Sequence, residues 1–211
     1  GGAKPVPGPL KPHIACPTTC GTGAEVTAIL VFDLTTHNVK TAIRNPAIKP
    51  TMAVVDPLAA ASLPAGVVAS TGFDVLTHAL ESYLAVPFTD RDRPARAADR
   101  PPYQGANPWG DMGSLEAIRQ GGRFLVPAVV DADAEARANV MFAATLAGLA
   151  FGNAGVQIPH ATSYAVAGLN HEYVASGYEK AEPMVPHGLS VLISAPAAFR
   201  FTGPATPERH L

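Results

Sequence analysis

At Pro64 the pattern of the chain changes, and that change limits the fold more than any other feature of its 211 residues. Before it, short apolar or β-branched runs alternate with turn formers. His13-Ile14-Ala15-Cys16, halted by Pro17, and Met52-Ala53-Val54-Val55, halted by Asp56-Pro57, read as short buried strands. Val26 to Asp33 and Val39 to Ile43, joined by Leu34-Thr35-Thr36-His37-Asn38, read as a hairpin. Asp56 reads as a turn-forming cap without chemistry. After Pro64, Val67 to Leu84 carries apolar residues at helical spacing, among them Val68, Phe73, Leu76 and Leu80. Helices resume over about 110–126 and about 133–152, and an apolar segment runs from Leu189 to Phe201. Residues 87–109, with Pro87, Pro94, Pro101, Pro102 and Pro108 around Asp90-Arg91-Asp92-Arg93, read as a loop insertion. The chain therefore divides into a β-rich part over 1–62 and a helical part over 63–211.

With 47% hydrophobic and 15% charged residues, the chain can bury a sizeable core. A net charge of −2 and a pI near 6.4 exclude a nucleic-acid or anionic-membrane binder of the basic-patch kind. No run approaches eighteen uninterrupted apolar residues, so no membrane span is expected. Cys16 and Cys20, four apart, fit two reduced thiols. No signal peptide is read, and the expected location is cytoplasmic, or mitochondrial in a eukaryote.

The residues that carry chemistry are Asp74, His78, His160 and His187. A separation of four residues on a helix puts the Asp74 and His78 side chains on one face. Alone, such a pair is more often a surface helix pair or an N-terminal dipole contact. His160 follows Ile158-Pro159, and His187 lies in Val185-Pro186-His187-Gly188. One carboxylate with three imidazoles suits Fe(II) or Zn(II) far better than Mg(II) or Ca(II). His13, His37, His171 and His210 have no such setting and read as solvent or loop histidines.

These segments resemble the iron-containing (group III) alcohol dehydrogenase family. Pro17-Thr18-Thr19-Cys20-Gly21-Thr22-Gly23-Ala24-Glu25-Val26-Thr27 is similar to its nucleotide-side signature. Gly72 to Tyr83, Gly152-Asn153-Ala154-Gly155 through His160, and Pro186-His187-Gly188 are similar to its three metal motifs. Within the family the resemblance is strongest to the hydroxyacid–oxoacid transhydrogenase branch. It rests on the insertion 87–109, the 27-residue interval from His160 to His187, and Tyr164 where many alcohol dehydrogenases carry a further histidine. Ala24 departs from the serine of many relatives.

The resemblance implies a dehydroquinate synthase-like, iron-alcohol-dehydrogenase fold, truncated at both ends. Residues 1–62 would be the C-terminal part of an α/β dinucleotide-binding domain, and 63–211 an α-helical metal-binding catalytic domain. It implies Asp74, His78, His160 and His187 as ligands of Fe(II), with Zn(II) the alternative. Thr18, Thr19, Gly21, Thr22 and Gly23 would line NAD, Lys40 would contact its ribose, and Tyr164 would face substrate. The implied reaction is hydride transfer through the nicotinamide, from a 4-hydroxybutyrate-type donor to 2-oxoglutarate. An ordinary NAD-dependent alcohol dehydrogenase is the alternative, and a non-catalytic metal-binding helical fragment is the alternative of another class. Partners would be small hydroxy acids, oxo acids or alcohols, with a homo-oligomer left open. Arg91, Arg93, Arg96 and Arg100 of the insertion read as a solvated surface loop balanced by Asp90, Asp92 and Asp99, or as candidates for holding substrate carboxylates.

Overall fold

The computed structural model describes residues 6–37, 39–169, 172–178 and 183–210. Two small sheets precede the helices. Strand β1 (Ile14–Ala15) pairs in parallel with β4 (Met52–Ala53), and β2 (Ile29–Leu34) pairs antiparallel with β3 (Val39–Arg44) in a hairpin, Ile29 opposite Arg44 and Leu34 opposite Val39. The helices are α1 (Ala65–Tyr83), α2 (Pro108–Val130), α3 (Ala134–Ala154), α4 (Ile158–Leu169), α5 (His187–Thr202) and the single turn α6 (Pro207–His210).

Helix α1 is the hub. It packs against α2 and α3 on one side and α5 on another, and α5 in turn packs on α4. The core between α1, α2 and α3 is built largely from alanine: Ala79, Ala117, Ala143, Ala144 and Ala147 surround Val75. Such short side chains let helix axes approach closely while keeping high helix propensity. A second cluster joins Val68 of α1 to Ala128 of α2 and to Val140 and Met141 of α3, and it takes in Cys20 from the preceding loop. Asn107 caps α2, accepting from the Gly110 N–H at 2.9 Å, and Asp133 caps α3, accepting from the Ala136 N–H at 2.6 Å. Asp56 accepts from the Leu58 N–H at 3.0 Å, the capping role read from the sequence.

Several sequence expectations need correction. The strands around Ile14 and Met52 are short and not buried, since Ile14 is 59% and Met52 56% exposed. Each has a single strand partner among the described residues and no layer over its apolar side chains. Val26 belongs to a 3-10 turn (Ala24–Val26), so the hairpin begins only at Ile29. Phe73 is exposed, because five helical steps from Val68 carry it round to another face of α1. Helix α2 runs on through Pro127 to Val130; a proline in the closing turns removes one N–H without ending the helix. Gly152, Asn153 and Ala154 extend α3, which stops at Gly155, where φ is 99°. Asn38 and His171 lie outside the described residues. His13 and His37 are exposed, whereas His210 is half-buried on α6 against Thr202 and Thr206. Cys16 is exposed and Cys20 buried, both free.

Arg137 fastens the parts together. Its buried guanidinium donates to the Ala61 carbonyl at 2.6 Å and to the Ala128 carbonyl near the end of α2 at 3.2 Å. Arg137→Ala leaves two carbonyls without these donors and opens a hole between α2, α3 and the segment entering α1. We expect a loss of about 3 kcal/mol in urea unfolding, since hydrogen bonds from a charged donor contribute about 1.5–3 kcal/mol. An effect under about 0.5 kcal/mol, the range of ordinary surface changes, would contradict this account.

Candidate metal centre

Helix α1 carries Asp74 and His78 one turn apart, both buried, at 2% and 5% exposure. His160 lies in the first turn of α4, and His187 is the first residue of α5, so two helix starts aim imidazoles at one carboxylate. The Asp74 Oδ1 atom is 3.3 Å from His160 Nε2, 3.7 Å from His187 Nε2 and 3.7 Å from His78 Nδ1. Donor atoms of Asp74, His160 and His187 all fall within 4.8 Å of one another.

His78 stands beside this trio, with its Nδ1 as near to Asp74 Oδ1 as His187 Nε2 is. Its ring is stacked between His160 and Phe151, each centroid 4.2 Å away and nearly parallel, and it also faces the Gly21 backbone. The sequence predicts four ligands; donor atoms of three lie within 4.8 Å of one another, and the fourth meets Asp74 Oδ1 at 3.7 Å.

Three polar atoms here are buried without a hydrogen-bond partner: Asp74 Oδ1, His78 Nδ1 and His160 Nε2. Orphaned buried polar atoms are costly, and three of them facing one another fit a bound cation. Their chemistry, one carboxylate oxygen and imidazole nitrogens, suits Fe(II) or Zn(II).

The charges are tightly interlocked. Burial works to raise the Asp74 carboxyl, but the neighbouring imidazoles of His78, His160 and His187 outweigh it and hold it below its ordinary range. Burial drives His78 down to about 3, against the pull of Asp74. Burial also disfavours charge on His160, yet the carboxylates of Asp74 and Glu81 on either side overcome it and push that imidazole up to about 9. His187 is lowered by burial, opposed by Asp74, with His160 and Lys40 adding to the depression.

The cofactor loop divides in two. Thr18, Thr19 and Thr22 line a cleft of about 860 Å³ together with β1, the start of β2 and residues 47–51. Gly21 and Gly23 are buried and do not line it. Gly23 has φ 58°, and a Cβ there would lie 2.6 Å from the Cα of Gly148 in α3. These glycines let the loop settle on the helices. Glu25, also buried, accepts from the Thr145 hydroxyl of α3 at 2.7 Å and pins the loop there. Lys40, on β3, lies outside the cleft, with its charge felt at His187.

Tyr164 is half-buried one turn after His160, and burial, Tyr103 and Asp74 all raise its hydroxyl, in that order. The insertion arginines do not reach the centre. Arg93 and Arg100 are exposed, Arg96 is paired with Asp99 at the surface, and Arg91 donates to the Tyr103 carbonyl at 2.8 Å. The Tyr103 ring itself lies under Arg44 of β3, 4.8 Å from guanidinium carbon to centroid.

A residue to which the sequence reading gave no role is Glu81, hydrogen-bonded to His160. Its signal is spacing: a carboxylate seven residues after Asp74 and three after His78 lies on the ligand face of α1.

Comparison with known proteins places this geometry. Residues 103–210 match the model of the Fe-containing alcohol dehydrogenase family, C-terminal, and residues 1–57 match that of iron-containing alcohol dehydrogenase. The chain belongs to the iron-containing alcohol dehydrogenase family. Among curated relatives, it is 49% identical to hydroxyacid-oxoacid transhydrogenase, mitochondrial, of Rattus norvegicus, over all of this chain and 46% of that protein. It is thus about half the length of the curated relatives it matches. Among solved structures, 1,3-propanediol oxidoreductase superposes with a TM-score of 0.77 at 32% identity, covering 97% of this chain and 46% of that one. Sulfoacetaldehyde reductase from Bifidobacterium kashiwanohense, in complex with NAD+, gives 0.70 at 28% identity, covering 90% and 43%. The fold is that of this family of dehydrogenases, represented here by a few strands and the helices behind them.

Proposed function

We propose that this chain carries the metal centre of a nicotinamide-linked oxidoreductase acting on CH–OH groups, of the hydroxyacid–oxoacid transhydrogenase type. The observation that carries the reading is the convergence of Asp74 Oδ1, His160 Nε2 and His187 Nε2. These three residues would hold Fe(II), or Zn(II), with His78 as the fourth ligand. When bound, such an ion lowers the pKa of a substrate hydroxyl, the condition for hydride to leave the adjoining carbon. Residues 1–62 are read as the end of the dinucleotide-binding domain and 63–211 as the metal-binding domain. Thr18, Thr19 and Thr22 would offer hydroxyls to NAD along their cleft, while Gly21 and Gly23 hold that loop against the helices.

On the open side of the centre, β3 supplies cations. Lys40 stands near His187 and Arg44 over Tyr103, positions from which they would meet a substrate carboxylate, with Tyr164 beside Asp74 completing the wall. Hydroxy and oxo acids fit such a wall better than plain alcohols do. The mitochondrial relatives favour a mitochondrial setting in a eukaryote over the cytoplasm.

The test uses the longest natural reading frame containing this chain, loaded with iron and given no nucleotide. Carbinol-deuterated 4-hydroxybutyrate and 2-oxoglutarate are supplied, and 2-hydroxyglutarate is examined by mass spectrometry. The donor carbon gives up deuteride and its hydroxyl proton, becoming an aldehyde. The acceptor carbonyl gains the deuteride and a proton. Deuterated 2-hydroxyglutarate over many turnovers supports the transhydrogenase. Activity only with added NAD, with NADH accumulating, replaces it by a plain dehydrogenase. Bound metal without either activity leaves the non-catalytic module.

A further inference from the structure

Behind His160, on the side away from Asp74, stands a second carboxylate. Glu81 is 0% exposed. Its Oε1 accepts from the backbone N–H of Gln157 at 2.9 Å and of His160 at 3.2 Å, while Oε2 is hydrogen-bonded to His160 Nδ1. The Gln157 side-chain amide donates back to the Glu81 carbonyl at 2.6 Å. Taking a carboxylate out of water costs several kcal/mol, so each of these contacts matters. Pinning the start of α4 to α1 would need only the two backbone N–H groups. The third contact does something they cannot: it decides which imidazole nitrogen carries the hydrogen. With Nδ1–H given to Glu81, Nε2 is the nitrogen left to a cation that displaces its proton, and Nε2 is the buried atom without a partner, facing Asp74 and His187.

We propose that Glu81 is a positioning residue of the metal centre, holding His160 in the Nδ1–H tautomer and in the ring plane that turns Nε2 toward a divalent transition-metal ion. This inference rests on the metal-centre reading given above. Outer-shell carboxylates of this kind orient a ligand imidazole and raise its basicity.

The test uses metal-free protein from the longest natural reading frame, titrated with Co(II) against a competing chelator. Glu81→Gln keeps the shape and removes the charge. Its Co(II) affinity should fall by about 10- to 100-fold, with a changed visible spectrum and an unchanged far-UV circular dichroism spectrum. Asp74→Ala is the control for the underlying reading. If Asp74→Ala abolishes binding while Glu81→Gln matches wild type in affinity and spectrum, the Glu81 inference is overturned and the metal centre stands. If Asp74→Ala binds as wild type, the centre fails and the inference goes with it. Should Glu81→Gln not fold, histidine ¹⁵N spectra of the Zn(II)-loaded wild-type protein decide. Zinc on His160 Nε2 with a protonated Nδ1 supports the role, and zinc on Nδ1 refutes it.

Discussion

Asp74→Asn should remove the metal while leaving the fold in place. Asp74 is the one carboxylate in the converging trio, and all three close distances in the cluster run to its Oδ1. The amide copies its shape but supplies no negative charge, so a divalent ion would meet only neutral ligands in a dry site. Outer-shell changes typically cost about 10- to 100-fold in metal affinity, and a direct anionic ligand should cost more than about 100-fold. Metal content after dialysis, measured by mass spectrometry, should drop from one ion per chain to a trace. Circular dichroism should stay the same, because the amide fills the same space in α1 as the carboxylate. Asp74→Ala should lose the metal equally and be less stable, since it also leaves a cavity beside the buried imidazoles. Retention of a full ion by both variants would remove the centre from α1 altogether.

The helical half of the fold was legible because its information is periodic. Apolar spacing marked α1, α2 and α3 to within a few residues, and the proline-dense segment marked the insertion. The strands were legible as strands but not in their burial. A run such as Met52 to Val55 states that its residues suit a sheet, not whether anything covers them, and Val54 is 45% exposed. The ligand residues were visible through spacing and flanking motif, since a helix fixes the relation of Asp74 to His78. What spacing cannot give is a rotamer. His78 shares the ligand face of α1, and its ring is oriented by a stack between Phe151 and His160 that no spacing announces. The arginines of the insertion make a related point. Charge density predicts an exposed loop correctly but says nothing of partners, and Arg91 donates to the Tyr103 carbonyl while Arg96 closes on Asp99, both at the surface. A cation whose charge is felt at His187, Lys40, comes instead from the hairpin, whose docking beside α4 is a long-range contact that no local pattern encodes.

Gly188→Ala should disable the centre without touching a ligand. A Cβ on Gly188 would lie 1.7 Å from the Ser70 carbonyl oxygen and 2.5 Å from its carbon. Those are backbone atoms of α1, held in its hydrogen-bond ladder, and they cannot swing aside as the end of a long side chain can. Helix α5 must therefore lift from α1 at its first turn, where His187 sits. Overpacking of this kind costs about 1–3 kcal/mol, and a rigid backbone contact belongs at the upper end. For a chain of this size that corresponds to a fall of about 6–12 °C in melting temperature. Lifting α5 also draws His187 Nε2 away from Asp74 Oδ1, and an error of 1 Å in a preorganised site typically costs about 100-fold. Metal affinity and any turnover should both fall by that order. Gly122→Ala is the matching control, a glycine inside α2 with nothing within 4 Å of the added carbon. There the same methyl group should raise stability by up to about 1 kcal/mol through helix propensity alone and leave metal binding unchanged. Opposite signs for one chemical change at two helical glycines would identify contact with α1, and not glycine content, as what holds His187 in place; equal signs would contradict the packing account of the Pro186-His187-Gly188 motif.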